Sequence, residues 1–426
     1  MGIAAIVIFL GAYLLLVTEK VHRTKVALVG AALMLLLHIT DGEKAFFSSH
    51  TGIEWNVVFL LFGMMVIVSV LRQTGVFEYV AIKATKLARG RPYRMMVLLV
   101  ALTATASALL DNVTTVLLIA PVTFLVCQRL NLRAAPYLIA EVFASNIGGT
   151  ATLVGDPPNI IISSPAAGDL TFNDFLLHVT PIVVVLVVVF ALLCRVLFRR
   201  DLVYDPERAR AVMALNEREA ITDGVLLAKA LLVLGLVIAA FVLHPWLHYD
   251  PAVVALLGAG LLILITDVTT EQALSEVEWP TLLFFAGLFV MVGGLVETGV
   301  VGDVSRAIAH ATRGRLGVAA NVLLFGSAAL SAVVDNIPFV TTMSPIVADL
   351  ARGHGTGGHV LWWALALGAD LGGNGTAIGA SANVVALGIA ARQGQPISFW
   401  EFTKYGLVVT TVTVALCAPY LWLRYR

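Results

Sequence analysis

Charge is what this chain has least of. Asp, Glu, Lys and Arg make up 13% of its 426 residues, and hydrophobic residues make up 59%. Soluble domains carry about 25% charged residues. So little polar surface cannot cover a soluble globule, and the solvent must be largely lipid. The 27 basic residues are cancelled by 27 acidic ones, so there is no basic excess to attract a nucleic acid. Cysteine is nearly absent. Cys127, Cys194 and Cys417 stand singly in apolar runs, which gives neither metal-ligand spacing nor a disulfide framework. A P-loop and a Rossmann fingerprint are both missing, so transport by this chain alone would draw on an ion gradient. The first apolar run starts at Met1 without a small-residue cleavage site behind it, and it reads as a retained signal anchor.

What the chain does have is a repeat, at an offset of 224 residues. Asp111-Asn112 recurs as Asp335-Asn336. Gly148-Gly149, Thr152, Gly155 and Asn159 recur as Gly372-Gly373, Thr376, Gly379 and Asn383. Glu54-Trp55, Gly63, Gly75 and Pro121 recur as Glu278-Trp279, Gly287, Gly299 and Pro345. Duplication inside a hydrophobic chain is the usual construction of a secondary transporter, with its site where the repeats meet. The first repeat spans 1–198, a linker spans 199–224, and the second repeat spans 225–426.

A crossing helix needs about 20 largely apolar residues. Candidates lie at 2–17, 25–40, 55–72, 135–163 and 179–198, then at 225–243, 251–266, 279–296, 360–390 and 405–423. A further apolar block in each repeat, 93–128 and 317–350, has Asp-Asn at its middle. Each block is either one broken span or a re-entrant hairpin, because acidic residues at membrane depth must face protein or a water-filled cavity. Basic residues test the choice. With hairpins there are five crossings per repeat, and a cytoplasmic linker makes the repeats inverted with both termini outside. Only Lys44, Arg306, Arg313, Arg315, Arg352, Arg424 and Arg426 of the 27 basic residues then fall outside, as the positive-inside rule asks. Lys20, Arg23, Lys25, Lys83, Lys86, Arg89, Arg91, Arg94, Arg129 and Arg133 are among those inside. The expected fold is therefore an all-α polytopic membrane protein of two inverted-topology repeats. Each has five transmembrane helices, a re-entrant helical hairpin (93–128, 317–350) and a broken transmembrane helix (135–163, 360–390). The seven tryptophans read as interfacial anchors, residues 77–89 as an amphipathic surface helix, and the linker as a solvated connector.

The polar motifs carry the candidate chemistry. In the first element, Asp111, Asn112, Thr114 and Thr115 face Asp335 and Asn336 in the repeat. Helix arms would break at Asp-Asn. Asn leaves helical geometry readily, freed carbonyls and Thr hydroxyls can coordinate Na⁺, and the next helix start can hydrogen-bond a polar solute. Na⁺ at Asp111, Asn112, Asp335 and Asn336 is one reading; the blander one is that each Asp only caps the following arm. The second element holds Asn146, Gly148, Gly149, Thr150, Thr152, Asp156 and Asn159. Its partner holds Asp370, Gly372, Gly373, Asn374, Thr376, Ser381 and Asn383. Paired glycines and Pro157-Pro158 argue for an unwound segment that lines a site; close helix packing through small residues would account for the glycines alone. Glu141 has Leu365 at its repeat position and reads either as a proton carrier or as a partner of a helix end. Asp111, Asp156, Asp335, Asp370 and Glu141 are the ion-coupling candidates. No Lys or Arg occurs within any of the motif intervals, 95–128, 134–194, 316–351 and 353–391. A cation or a small neutral polyhydroxy solute suits such a site better than a multiply charged anion.

At DNVTT with SNIGGTATLVGDPPN, and DNIPF with ADLGGNGTAIGASAN, the chain resembles the ion transporter superfamily in its ArsB/NhaD permease branch. It is most similar to the P-protein-like subgroup, and the resemblance covers nearly the whole chain. It implies an elevator-type fold, and members of that branch export arsenite or antimonite or exchange Na⁺ for H⁺. With a site that lacks a fixed cation, the expectation is export of arsenite or antimonite in exchange for protons, with Na⁺ as the other candidate coupling ion and no other cofactor. A Na⁺/H⁺ antiporter and a Na⁺-coupled anion or dicarboxylate carrier are the alternatives. Dicarboxylate carriers of the wider superfamily have Ser-Asn-Thr at the hairpin tips, where this chain has Asp111 and Asp335. The expected setting is the cell (inner) membrane. A homodimer and a companion ATPase subunit are compatible with the sequence.

Overall fold

The computed structural model describes every residue except 19–20, 49–50, 165–169, 208–212, 214–215, 276, 313, 354 and 426. Of the residues in the charge argument, Lys20, Arg313 and Arg426 lie outside the described set, as does part of the linker. The first repeat folds into α1 (Gly2–Thr18), α2 (Arg23–Leu36), α3 (Gly42–Phe47), α4 (Trp55–Gln73), α5 (Val76–Leu87), α6 (Pro92–Ser107), α7 (Asn112–Leu130), α8 (Ala135–Gly149), α9 (Pro157–Ile162), α10 (Phe172–His178) and α11 (Thr180–Leu197). The second folds into α12 (Gly224–Val242), α13 (Pro251–Ile265), α14 (Thr270–Ser275), α15 (Trp279–Glu297), α16 (Val300–Ala311), α17 (Leu316–Ser331), α18 (Asn336–Arg352), α19 (His359–Gly372), α20 (Ser381–Arg392) and α21 (Phe399–Arg424), with a single turn at His244–Leu247 after α12. Helices α4, α5 and α6 recur as α15, α16 and α17 with both ends displaced by the same 224 residues. Sequence repetition has become structural repetition.

The two repeats exchange partners. Helix α2 packs on α15, and its counterpart α13 packs on α4; likewise α7 packs on α20, and α18 on α9. Glycines allow the closest approaches. A Cβ on Gly63 would lie 2.7 Å from the carbonyl carbon of Ala255, and one on Gly287 would lie 2.8 Å from that of Ala27. Within each repeat, α6 packs on α8 and α17 on α19. All of α8 is buried, as is α19 from Val360 onward. At the periphery, α11 exposes Val184, Val185, Val188 and Leu192, and α12 exposes Leu231, Leu232 and Leu236. These are apolar faces whose natural solvent is hydrocarbon.

Several expectations are corrected. Six helices among the described residues are long and apolar enough to cross a membrane: α4, α7, α11, α12, α15 and α21. Helices α2 and α13, expected as crossings, have 14 and 15 residues, about 21–23 Å at 1.5 Å per residue. One face of each packs on α15 or α4, and the other exposes Leu28, Val29 and Leu36 of α2 and Leu257 and Leu264 of α13. Conversely, α7, one arm of an expected hairpin, has the length of a full span at 19 residues. Trp55, Trp246, Trp279, Trp400 and Trp422 are exposed near helix ends, but Trp362 and Trp363 are buried at 1% exposure. Trp363 stacks on His178 with centroids 5.3 Å apart. Helix α5 is amphipathic as expected, burying Phe77, Ala81 and Ile82 against protein and exposing Lys83.

Nor is the linker only a solvated connector. Thr222 donates its backbone N–H to Thr74 O at 3.1 Å and its hydroxyl to Gln73 O at 2.6 Å. Lys86 pairs with Glu217 at 2.6 Å, and its ammonium holds the Glu217 carboxyl below the usual carboxylate range. Gly75, in the left-handed region at φ 72°, is required at this corner because a Cβ there would meet Ala220 O at 1.8 Å. Arg133 ties the same end together, reaching Asp201 at 3.2 Å and Glu401 at 3.0 Å.

Candidate functional site

Four interruptions in the helices build the site: 108–111 between α6 and α7, 150–156 between α8 and α9, and their counterparts 332–335 and 373–380. Each Asp-Asn break begins the next helix with a side-chain cap. Asp111 Oδ1 accepts the N–H of Thr114 at 2.8 Å. Residue 338, the counterpart of Thr114, is proline and has no N–H to give. Asp335 Oδ1 therefore accepts from Ile337 instead, at 3.1 Å. Its other oxygen receives the Ser381 hydroxyl at 2.6 Å.

The unwound segments are braced in the same way twice. Ser107 donates to Ser145 O at 2.8 Å, and Ser331 to Ala369 O at 2.7 Å. Thr152 donates to Ala108 O, and Thr376 to Ala332 O, both at 2.5 Å. Asn159 donates to Thr152 O at 2.9 Å, and Asn383 to Thr376 O at 2.8 Å. Gly149 has its missing Cβ 2.7 Å from Gly155 O. Carbonyls that lost their helical partners are thus satisfied by side chains. Thr152, Thr376, Asn159 and Asn383, expected to meet a solute, spend these donors on the backbone. Thr150 does likewise, donating to Asn146 O at 2.8 Å. Thr115 is buried, and its hydroxyl has no hydrogen-bond partner.

At the centre, residues of all four breaks and the helix ends beside them join one network. Asn112 Nδ2 donates to Asn146 Oδ1 at 3.1 Å and to Asp156 Oδ2 at 3.0 Å. Asn336 Nδ2 reaches both oxygens of Asp156 at 3.4 Å. Asn146 Nδ2 donates to Asn374 Oδ1 at 2.9 Å and to Asn383 Oδ1 at 3.0 Å. Asn112, Asn336, Asn146, Asn374, Asn383, Asp156 and Asp370 are all buried. Thr150 and Asn159 lie within hydrogen-bonding reach of the Asp370 carboxylate, but by strict geometry their hydrogens are directed at carbonyls, Thr150 at Asn146 O and Asn159 at Thr152 O. Neither Asp370 oxygen receives a hydrogen bond, and Asn159 Oδ1 receives none either. Three buried acceptor atoms therefore lie without donors.

A second, smaller group of polar residues lines a pocket of about 20 Å³ bordered by Asp111, Asn112, Glu278, Thr281, Asn336 and Ser381. Arg23, the first residue of α2, enters it. One guanidinium nitrogen donates to Ser381 Oγ, and the other to Thr281 Oγ1 at 3.0 Å. The expectation of a site with no fixed cation is overturned. The motif intervals do lack Lys and Arg, but α2 delivers one from outside them. In the sequence Arg23 counts only among the cytoplasmic basic residues and has no part in the site, since its distance from the motifs along the chain says nothing of distance in space. Glu141 stands apart from the central network. It accepts from Thr123 of α7 with one oxygen, and its other oxygen is buried without a partner. No group of three or more His, Cys, Asp or Glu placed to hold a metal occurs among the described residues.

A family model described as "Citrate transporter" matches residues 13–368. The chain belongs to the citrate transporter family. It is 58% identical over 427 residues to an uncharacterized transporter of Mycobacterium tuberculosis, covering 100% of this chain and 99% of that one. It is 36% identical over 496 residues to the human P protein, covering 97% of this chain but 59% of that protein. Among solved structures, the Alcanivorax borkumensis YdaH transporter superposes with a TM-score of 0.55 at 15% identity, covering 95% of this chain and 99% of that one. That match shows the fold, an all-helical polytopic transporter. With its apolar helices and its family, the chain is a multi-pass membrane transporter.

Proposed function

We propose that this chain is a cation-coupled secondary transporter of a small organic anion. The coupling cation, H⁺ or Na⁺, is held at Asp156 and Asp370, and the solute binds at Arg23 from the cavity of about 300 Å³ that this residue lines. One observation carries the reading: three acceptor atoms, both oxygens of Asp370 and Oδ1 of Asn159, are buried without a donor. Buried acceptors without donors are costly unless a proton or cation fills the gap, and unwound helices of transporters bind coupling ions this way. The family model's description as a citrate transporter and the guanidinium in the pocket favour a carboxylate as the solute. Export of arsenite or antimonite was inferred for a site with no fixed cation, and Arg23 removes that premise. The membrane in question is the cell (inner) membrane.

The test uses purified protein in liposomes with an imposed Na⁺ or pH gradient, offering citrate, succinate and arsenite in turn. Uptake of a carboxylate that collapses with the gradient is expected. Arsenite flux, or Na⁺-driven proton movement indifferent to carboxylates, would overturn the reading.

For the architecture, we propose inverted repeats that move as an elevator, with α6–α7 and α17–α18 as re-entrant arms. The exchange of partners between repeats, α2 on α15 and α13 on α4, supports it. Single cysteines at Arg94 and Arg129 should then be labelled from the same side of the membrane. Labelling from opposite sides would make α7 a full crossing.

A further inference from the structure

Beside the polar pocket lies a larger cavity of about 300 Å³, walled by apolar residues such as Leu16, Phe284, Val333 and Val384. Arg23 and Ser381 are the two residues that line both spaces. Their hydrogen bond is therefore the partition between the apolar vestibule and the pocket beneath the Asp-Asn breaks.

The partition is built to be displaced. Both hydroxyls that hold the guanidinium are themselves turned toward carboxylates: Ser381 donates to Asp335 at 2.6 Å, and Thr281 to Glu278 at 2.9 Å. The cation is thus held by neutral oxygens, one atom short of an ion pair. Hydrogen bonds from guanidinium to carboxylate are roughly twice as strong as those between neutral groups, and the planar fork donates to two carboxylate oxygens at once. Asp335 does not supply them here: its oxygens accept from Ile337 N and Ser381 Oγ. An arriving carboxylate can. The arrangement is also one-sided. Pro157 and Val57 stand at the repeat positions of Ser381 and Thr281, and α13 begins at Pro251 where α2 begins at Arg23.

We infer that Arg23 is the residue that selects an anionic solute, and that its bond to Ser381 is the gate the solute opens by replacing the Ser381 hydroxyl with its own carboxylate. This rests on the anion-transporter reading above, and its test separates the two. In liposomes, Arg23→Gln should raise the apparent KM for the transported carboxylate about ten- to hundredfold, the loss of a charge-assisted hydrogen bond. Arg23→Lys should recover part of that loss. The stabilisation of the protein by Na⁺ or by low pH, read as a melting shift, should not change. A Met65→Cys variant gives a second readout, because Met65 lines the polar pocket but not the vestibule and the native cysteines are buried. N-ethylmaleimide should label it slowly alone, faster with citrate or succinate, and fast without solute once Arg23→Gln is added. An unchanged KM in Arg23→Gln overturns the selecting role. Labelling indifferent to both solute and Arg23 overturns the gate. If the parent protein moves no carboxylate, the anion reading and the selecting role fall together, while the effect of Arg23→Gln on labelling still decides the gate.

Discussion

Asp370→Asn is expected to abolish gradient-driven transport while leaving the protein at least as thermostable as its parent. Asp370 is fully buried, and both its oxygens lack donors. The carboxylate contributes no internal hydrogen bond that an amide would forfeit, and removing an uncompensated buried acid relieves a cost. What the amide cannot do is hold a proton or neutralise a cation. Loss of a buried charge contact is worth about 3–5 kcal/mol, so flux should fall at least about 100-fold. Asp156→Asn should behave differently. Its oxygens already accept from Asn112 at 3.0 Å and from Asn336 at 3.4 Å, so an amide N–H₂ would meet donors. It should lose transport and about 1–3 kcal/mol of stability together. Melting curves and liposome flux on the two variants decide the matter. An Asp370→Asn protein that transports at the parental rate would remove the cation site from the centre.

Gly148→Ala is expected to prevent folding. Its Cβ would lie 2.2 Å from Ala104 O, 2.4 Å from Ala104 Cα and 2.6 Å from Ala104 C. All three are backbone atoms of α6, which cannot rotate aside as a side chain could. The repeat position, Gly372, meets Ala328 O at 2.6 Å and Ala328 Cα at 2.7 Å, so Gly372→Ala should be severe but milder. Overpacking usually costs 1–3 kcal/mol when side chains can yield; against backbone, Gly148→Ala should exceed about 4 kcal/mol. Gly235→Ala in α12 is the matched control, with nothing within 4 Å of its Cβ. Inside a helix it should gain about 0.5–1 kcal/mol. Size-exclusion profiles and melting temperatures in detergent separate the outcomes. A monodisperse Gly148→Ala protein with a parental melting point would contradict the close packing of α6 on α8.

The elements and the site were readable from the sequence to different depths. Residues 93–128 and 317–350 form helix–break–helix units with Asp111 and Asp335 as caps, because Asp-Asn both ends one helix and starts the next. Residues 135–163 and 360–390 are interrupted at their glycines for a similar local reason. The lengths of α2 and α13, the burial of Trp362 and Trp363, and the docking of Thr222 on the α4–α5 corner were not readable. Each depends on which surface a neighbouring element offers. Likewise Thr152 and Asn159, expected as solute ligands, direct donors at Ala108 O and Thr152 O, because sequence counts polar atoms but does not say which carbonyls lie within reach.

By itself, then, the sequence determined a lipid-solvated, duplicated helical transporter and the four places where its helices break. Composition, periodicity and proline or glycine chemistry act locally and need no partner. Only the tertiary structure decided how those places combine: that Asn112, Asn146, Asn336 and Asn374 share one network around Asp156, that Asp370 is left without a donor, and that α2 carries Arg23 into the pocket. These are contacts between segments far apart in the chain. Packing brings them together, and with them Arg23, on which the proposal of an anionic solute rests.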